Sequence, residues 1–266
     1  RENAGAAGEK GVVQFKNVSF RYPGAGDDVI SGIDFTARRG ETVAVVGATG
    51  SGKSTLISLI PRFFDCTEGA VLVDGVDVRD YSQEALRDRI GYIPQKALLF
   101  SGTVASNISF GDNGRDADER SSTENIERAA SISQSAEFIE KMEGAYDAEI
   151  AQGGANVSGG QRQRLTIARA IARDPEILVF DDSFSALDYQ TDRKLRQELN
   201  ENTPGVTKFI VAQRIGTIKD ADQILVLDHG KIVGRGTHEE LLESCDVYKE
   251  IALSQLSEEE LAKTGA

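Results

Sequence analysis

The chain has 266 residues, of which 39% are hydrophobic and 27% charged, and its formal net charge is −13 at pH 7. This length suits a globular chain with a proper core, and the acidic balance argues against nucleic acid as a partner. The sequence contains no apolar run near the roughly 18 residues of a membrane span, and the polar start RENAGAAGEKG lacks the apolar segment of a signal peptide. With only Cys66 and Cys245, a disulfide framework or a zinc site is not supported, and we expect a reducing, cytosolic setting.

The first part of the chain alternates predicted strands with a glycine-rich turn. Residues 12–22 and 29–37 alternate in hydrophobicity as half-buried antiparallel strands do, and the β-branched run 41–47 predicts a third strand. This third run leads directly into the glycine-rich turn and a helix. A hairpin over 70–78 and a strand over 89–95 follow.

From about residue 103 to 173 the pattern becomes helical. One helical face carries apolar residues at Ile126, Ala129, Ala130, Ile132, Ala136 and Ile139. A second helix carries GGQRQRLTIARAIARDP and is stopped by Pro175. Strands are then predicted over 177–181, 208–213 and 223–236, with a helix over 189–200 between the first two. The layout predicts an α/β fold with a mainly parallel sheet, an antiparallel β subdomain and a helical insertion.

The strongest chemical signal is GATGSGKST, residues 47–55, which satisfies G-x-x-x-x-G-K-[ST] between a predicted strand and a predicted helix. The glycines let backbone N–H groups wrap around phosphates, and the helix N-terminus adds partial positive charge. In this motif Lys53 reaches the β and γ phosphates and the Ser54 hydroxyl ligates Mg²⁺. We therefore predict a P-loop NTPase core whose nucleotide-contacting residues are Gly47, Thr49, Gly50, Ser51, Gly52, Lys53, Ser54 and Thr55.

A second signal is ILVFDDSFS, residues 177–185, in which an apolar strand ends in two adjacent carboxylates. A carboxylate at the end of a strand that neighbours a P-loop holds the Mg²⁺ of the nucleotide, usually through water. A P-loop nucleotide carries Mg²⁺, and a strand that ends in an acid supplies a ligand for that ion, so each of the two motifs supports the interpretation of the other. We therefore predict that Asp181 is a Mg²⁺ ligand.

The segment VSGGQRQR, residues 157–164, begins a helix with Ser158, Gly159 and Gly160, which is again an anion-binding arrangement of a hydroxyl and bare amides. With these motifs in this order, the sequence resembles the nucleotide-binding domain of ABC transporters over about residues 10–250. In that family the signature segment of one domain closes over the P-loop nucleotide of another domain in a head-to-tail dimer. The resemblance therefore implies a second ABC domain as partner.

The resemblance also implies roles for residues that carry little information alone. Tyr22 in FRYPG matches the aromatic residue that stacks on adenine, which implies ATP as the nucleotide. Gln95 matches the glutamine that senses Mg²⁺ and the transmembrane partner. The signature residues that would act on the partner's nucleotide are Ser158, Gly159, Gly160 and Gln161. The loop that crosses between the two sites of the dimer would consist of Ser185, Ala186, Leu187 and Asp188.

The resemblance implies a domain with a core over about 10–95 and 174–250 and a helical subdomain over about 96–173. Residues 1–9 are expected to be a linker or tag, and residues 251–266 a C-terminal tail. The segment that follows Gln95, and the segment THEELL later in the chain, resemble those of exporter-type ABC domains. We expect a transmembrane domain ahead of residue 1 in the full-length protein, which would place this domain at the cytoplasmic face of the membrane.

Two residues depart from the family pattern at positions that serve hydrolysis. Asp182 stands where active members have a Glu that polarises the attacking water, and its carboxylate falls about 1 Å short, a misplacement that can cost roughly 100-fold in rate. Gln213 stands where a His contacts the γ-phosphate, and Gln cannot carry the positive charge of an imidazole. The signature keeps its Ser, glycines and Gln, although Val157 replaces the usual Leu. The sequence thus resembles the degenerate-site half of a heterodimeric exporter.

Three alternatives are weighed against this interpretation. A soluble ABC ATPase of DNA repair or translation is disfavoured because the chain has no heptad arrays and no second ABC domain. An ATPase subunit of an importer would also lack a membrane span, but the segment between Gln95 and Gly111, which resembles that of exporters, argues against it. A regulatory nucleotide sensor would bind ATP without turnover and without a membrane partner.

Overall fold

The computed structural model describes residues 10–111 and 117–264, with only the backbone described at 117, 120 and 256–264. The linker predicted over 1–9 lies outside the described residues. The strands are β1 Val13–Phe20, β2 Ile30–Ala37, β3 Thr42–Gly47, β4 Glu68–Val73, β5 Val76–Asp77, β6 Ile90–Ile93, β7 Gly102–Thr103, β8 Glu149–Ile150, β9 Ile177–Asp181, β10 Thr207–Val211, β11 Gln223–Asp228 and β12 Lys231–Gly236. The helices are α1 Lys53–Ser58, α2 Gln83–Arg87, α3 Val104–Ile108, α4 Ala117–Arg120, α5 Thr123–Ile132, α6 Ala136–Lys141, α7 Gly159–Ala172, α8 Tyr189–Asn202, α9 Ile215–Ile218, α10 His238–Ser244 and α11 Asp246–Thr264.

The described residues form two compact units. We call residues 10–80 with 207–264 the P-loop unit, and residues 81–111 with 117–206 the signature unit. These boundaries differ from those drawn at 95/96 and 173/174 from the sequence, so that partition stays a prediction.

The P-loop unit contains an antiparallel sheet and a mainly parallel one. The first has the order β2-β1-β4-β5, and Val13 of β1 lies opposite both Ala37 and Val73. In the second, β3 lies between β10 and β11 and is parallel to both, while β12 is antiparallel to β11. Four consecutive residues of β3 are buried, which fits a strand covered on both faces and explains its unbroken apolar run. The α/β class with an antiparallel β subdomain is confirmed.

In the signature unit, β6 and β9 form a parallel pair and the helices α3 to α7 lie between them in sequence. All five residues of β9 are buried, and the strand has the bounds 177–181 predicted from its apolar run. Helix α7 begins after Ser158 and ends at Ala172, three residues before Pro175. The predicted helical insertion is confirmed.

The apolar face predicted between Ile126 and Ile139 is divided between two helices. The break lies at residues 133–135, where Gln134 has a φ of 61°. The Ser133 hydroxyl bonds to the Ala130 carbonyl at 3.1 Å and to the Ser135 hydroxyl at 2.8 Å. These side chains compete with the helical backbone for hydrogen bonds, which is why Ser ends helices even when the apolar spacing continues.

Two further details differ from the sequence expectation. The short strands β7 and β8 pair antiparallel inside the region predicted to be helical, because two-residue strands are too short to show a period. Helix α11 runs to Thr264 and so continues through most of the segment that the sequence predicts to be a tail.

The start of β4 gives a test of the packing of the antiparallel sheet. Gly69 and Gly75 have nearly equal left-handed φ values of 78° and 79°. A Cβ at Gly69 would lie 2.2 Å from the Asn17 carbonyl oxygen and 2.3 Å from that of Lys16, whereas a Cβ at Gly75 would have no described heavy atom within 4 Å. We expect Gly75→Ala to lower the free energy of unfolding by about 1 kcal/mol and Gly69→Ala by about 3 kcal/mol. Denaturant titration of both variants measures this, and equal losses would contradict the close approach.

Candidate nucleotide-binding site

The loop between β3 and α1 has a shape that only glycine permits at several positions. Gly50 and Gly52 have φ values of 80° and 104°, in the left-handed region. A Cβ on Gly52 would lie 2.7 Å from Ile30 Cγ2, and one on Gly47 would lie 2.3 Å from the Leu227 carbonyl oxygen. The backbone of the loop is therefore bare of side chains where it turns, which is the condition for its N–H groups to approach phosphates.

The turn between β11 and β12 supports this loop. The Gly230 amide donates to the Ser51 carbonyl at 3.0 Å, and the Ser51 amide donates to the Ala48 carbonyl at 3.1 Å. A Cβ on Gly230 would lie 2.2 Å from the Val29 carbonyl oxygen, so this turn also approaches a neighbouring backbone. The sequence pattern of the P-loop itself gives no signal of this support, because the partner lies almost 180 residues away.

The side chains that follow the loop are arranged around its mouth. The Lys53 ammonium donates to the carbonyls of Gly47 at 2.6 Å and Ala48 at 2.9 Å, so the cation lies over the loop. Ser54 is exposed on the first turn of α1, whereas Thr55 is buried. The structure thus places a positive charge and a hydroxyl beside a loop whose backbone is open at Gly50 and Gly52, an arrangement that suits a polyphosphate.

Tyr22 lies beside α1 in the same unit. Its hydroxyl is 3.1 Å from Thr55 Oγ1, and its ring makes edge contacts with the rings of Phe20 and Phe64 at centroid distances of 4.8 and 5.4 Å. The residue remains 38% exposed. The structure brings Tyr22 to the P-loop helix with an accessible ring, and its stacking on adenine stays a prediction.

Gln213 lies at the same edge of the sheet as the P-loop. In the parallel pairing of β10 with β3, Val211 is opposite Val45, so that Gln213 and Gly47 each follow two residues later. The carboxyl ends of parallel strands are where ligands bind in open α/β sheets. The side chain of Gln213 is exposed there.

In the signature unit, the end of β9 holds Asp181 in a fixed setting. Asp181 is only 8% exposed, and the Tyr92 hydroxyl on β6 donates to its Oδ2 at 3.1 Å. Burial and the nearby carboxylate raise the pKa of Tyr92 well above its ordinary value, so that the phenol remains a donor. Sequence reasoning missed Tyr92. Its position within the strand, two residues after Ile90, does not reveal that its hydroxyl contacts Asp181.

Asp182 has a different environment from Asp181. It is half-buried, it has a φ of 50°, and its Oδ2 accepts a hydrogen bond from Gln95 Nε2 at 3.3 Å. Asp is one of the few residues other than glycine that adopt this backbone region readily. The pairing of β6 and β9 puts Ile93 opposite Phe180, so Gln95 and Asp182 both emerge two residues later. The structure therefore brings together these two predicted site residues.

The signature segment forms a capped helix start. Ser158 is the N-cap of α7, the Gln161 amide donates to its hydroxyl at 3.1 Å, and the Ser158 amide donates to Gln161 Oε1 at 3.0 Å. A Cβ on Gly159 would meet no heavy atom of the described residues within 4 Å, so among these residues the helix start is open on that side. A hydroxyl that accepts from the backbone keeps its own hydrogen for donation to a phosphate oxygen.

The predicted crossing loop, Ser185 to Asp188, packs on the signature helix. The Ala186 amide donates to Oε1 of the buried Gln163 at 3.2 Å. Asp188 is the N-cap of α8 and accepts from the backbone amide and the hydroxyl of Thr191, both at 2.8 Å. These hydrogen bonds lower the pKa of Asp188. Gln163 was not predicted from the sequence, because its position within α7 does not reveal that its side chain accepts from the Ala186 amide.

The donors of the predicted Mg²⁺ site are a hydroxyl, an amide oxygen and a carboxylate, from Ser54, Gln95 and Asp181. All are hard oxygen ligands of the kind that Mg²⁺ prefers. Within residues 10–111 and 117–264, no cluster of three or more His, Cys, Asp or Glu side chains could hold a metal ion. Each of these three groups suits Mg²⁺, which proteins usually bind through a few oxygen ligands together with nucleotide phosphates, and the site stays a prediction.

As for membrane insertion, the part of the chain that the structure describes has no helix both long and apolar enough to cross a bilayer.

Comparison with known proteins places these features in a family. The family model described as ABC transporter matches residues 30–185, more than half of the chain. The chain is 49% identical over 248 residues to an uncharacterized ABC transporter ATP-binding protein of Mycobacterium bovis, and 43% identical over 249 residues to an ATP-dependent lipid A-core flippase of Vibrio vulnificus. These alignments cover 93% and 94% of this chain.

A solved structure of a bacterial Atm1-family ABC exporter with ATP bound is similar with a TM-score of 0.84 and 36% sequence identity, over 92% of this chain. The chain spans only 42% of the length of each of these three relatives. The span matched by the family model, residues 30–185, includes the P-loop, the end of β9 and the signature segment described above. The chain belongs to the ABC transporter family.

Proposed function

We propose that residues 10–250 of this chain form the ATP-binding domain of a membrane exporter. In this proposal, ATP binding closes two ABC domains on each other, and their closure drives export. The observation that carries the proposal is the P-loop, where Gly50 and Gly52 open the backbone and Lys53 lies over it. The names of the relatives, an exporter and a lipid flippase, support an exporter over an importer subunit or a soluble ABC ATPase.

Different residues of the chain bind different parts of Mg·ATP. The P-loop amides and Lys53 hold the phosphates, and the accessible ring of Tyr22 stacks on adenine. Ser54, Gln95 and Asp181 hold Mg²⁺, which when bound neutralises charge on the phosphates. Tyr92 supports Asp181 by donating a hydrogen bond to its Oδ2.

The same site is proposed to hydrolyse ATP slowly. Asp182 is held by Gln95 and is one methylene shorter than Glu, so its carboxylate does not reach the attacking water. Gln213 offers an amide where an imidazolium would stabilise the γ-phosphate. Both side chains weaken the chemical step, while the phosphate-binding loop is intact.

The signature is proposed to complete the active site of a partner ABC domain on a different chain. The open side of Gly159 and the hydroxyl hydrogen of Ser158 present donors for a phosphate that this chain does not itself bind. The crossing loop from Ser185 to Asp188 would carry changes between the two sites. A transmembrane domain ahead of residue 1 would receive the movement, with this domain at the cytoplasmic face of the membrane.

The role of Lys53 can be tested by binding. We expect Lys53→Ala to weaken Mg·ATP binding to the chain by roughly tenfold to a hundredfold, because a charge-assisted contact to phosphate is worth about 1.5–3 kcal/mol. Isothermal titration calorimetry measures the change. The matched control is Lys16→Ala, an exposed lysine on β1 of the same unit. Equal affinity in wild type and Lys53→Ala would contradict a P-loop nucleotide site.

The slow-site proposal can be tested by restoring the two side chains. In the full-length assembly with the partner's own site inactivated, we expect Asp182→Glu with Gln213→His to raise ATP turnover roughly 10- to 100-fold. The same pair with Lys53→Ala added should be inactive, which assigns the turnover to this P-loop. A wild-type rate equal to that of the restored variant would show that the site is not impaired.

The proposed action of the signature on a partner can be tested with Gly159→Asp. The Cβ fits without contact, so the variant should fold, but its carboxylate would repel the partner's phosphates. We expect turnover at the partner-built site to fall at least about tenfold, while ATP affinity at this chain's P-loop is unchanged. Asn200→Asp, an equal charge change at an exposed residue of α8, is the control. Unchanged turnover in Gly159→Asp would rule out the trans role.

A further inference from the structure

The side-chain amide of Gln255, on the C-terminal helix α11, bonds to the segment after β10. Gln255 Oε1 accepts a hydrogen bond from the Ile215 amide at 2.7 Å, and its Nε2 donates to the carbonyl of Gln213. One contact needs an acceptor and the other a donor, so the network fixes the orientation of the amide. Gln255 therefore holds the main chain on both sides of Arg214.

The segment needs such a partner because its own sequence does not supply one. Ile215 is the first residue of the short helix α9, and the N-cap residue, Arg214, makes no side-chain cap hydrogen bond. The first amides of a helix have no partner inside the helix, and they are usually satisfied by Ser, Thr, Asp or Asn at the N-cap. Here the cap comes from a residue 40 positions later in the chain.

Helix α11 is held firmly enough to place Gln255. Tyr248, Ala252 and Gln255 follow the i, i+4, i+7 spacing of one helical face. Tyr248 is fully buried and Ala252 is 4% exposed, and the Tyr248 hydroxyl bonds to His238 Nδ1 at 2.6 Å. Gln255 thus lies at the end of a buried stripe that anchors the helix in the P-loop unit.

The segment that Gln255 holds is the one that carries Gln213 at the edge of the sheet. Because Val211 pairs with Val45, the position of the Gln213 backbone sets where its side chain lies relative to the P-loop. We infer that Gln255 is a positioning residue: through the main chain of Gln213 and Ile215 it sets the group that faces the γ-phosphate. This inference rests on the proposed function, in which residue 213 contacts that phosphate.

The test compares two changes at Gln255 that differ in hydrogen bonding. Gln255→Leu removes both bonds. Gln255→Glu has the same shape and still accepts from Ile215, but it sets a carboxylate oxygen against the Gln213 carbonyl. A packing role alone would leave Glu equal to wild type. Ser254→Ala, at the exposed neighbouring position on α11, is the control.

The readout is the ratio of Mg·ATP to Mg·ADP affinity of the chain, which isolates contacts to the γ-phosphate. We expect both Gln255 variants to lower this ratio about fivefold, as one lost hydrogen bond of roughly 1 kcal/mol predicts, with ADP affinity unchanged. Hydrogen exchange of the Ile215 amide should accelerate in Gln255→Leu and stay slow in Ser254→Ala. Wild-type ratios in both Gln255 variants, or equal losses for ATP and ADP, would overturn the inference.

A further variant separates failure of the inference from failure of the proposed function. Gln213→Ala should lower the ATP to ADP ratio at least as much as the changes at Gln255. If Gln213→Ala lowers the ratio and neither Gln255 variant does, the inference is wrong and the proposed contact stands. If Gln213→Ala has no effect, both the contact and the inference that depends on it are overturned. If wild type binds neither nucleotide, the proposed function itself fails.

Discussion

The parallel pairing of β3 with β10 and β11 is the constraint on which the P-loop unit depends. It buries an unbroken apolar strand and delivers three different segments to one edge: the P-loop after β3, Gln213 after β10 and the Gly230 turn after β11. A slip of one residue in either register would turn side chains to the opposite face. Gly47 lies so close to the Leu227 carbonyl that a Cβ at this position would clash with it. A slip that put a residue with a side chain in the place of Gly47 is therefore excluded.

The signature unit also uses a parallel strand pair to bring side chains together at one edge, and there the strand ends carry acidic residues instead of a P-loop. The pairing of β6 and β9 brings Tyr92 to Asp181 and Gln95 to Asp182. The two adjacent carboxylates consequently differ: the first is buried beside a phenol, and the second is half-buried, in a left-handed backbone conformation, beside an exposed amide. A buried, oriented carboxylate suits the proposed role of Asp181 toward an ion. The proposed role of the residue at position 182 depends on the reach of its carboxylate, and Asp is one methylene shorter than Glu.

The sequence was sufficient where a local pattern carries the information. The bounds of β9 follow from four apolar residues that end in an acid, and the start of α7 follows from Ser158 and the two glycines after it. The division of the helical face at Ser133 to Ser135 was missed because apolar spacing continues across it. Tyr92 and Gln163 were missed because their partners lie far away in sequence, and no local period encodes a tertiary hydrogen bond.

Gln255 makes another contact of this kind, and it bears on how the proposed site could lose hydrolysis while keeping its backbone geometry. Its amide holds the carbonyl of residue 213 and the amide of residue 215, which are main-chain atoms. A clamp of this kind is indifferent to whether residue 213 carries an imidazole or an amide side chain. The backbone at residue 213 can therefore keep its position while its side chain changes, which is the combination required by the proposed domain that binds ATP and leaves most of the turnover to a partner's site.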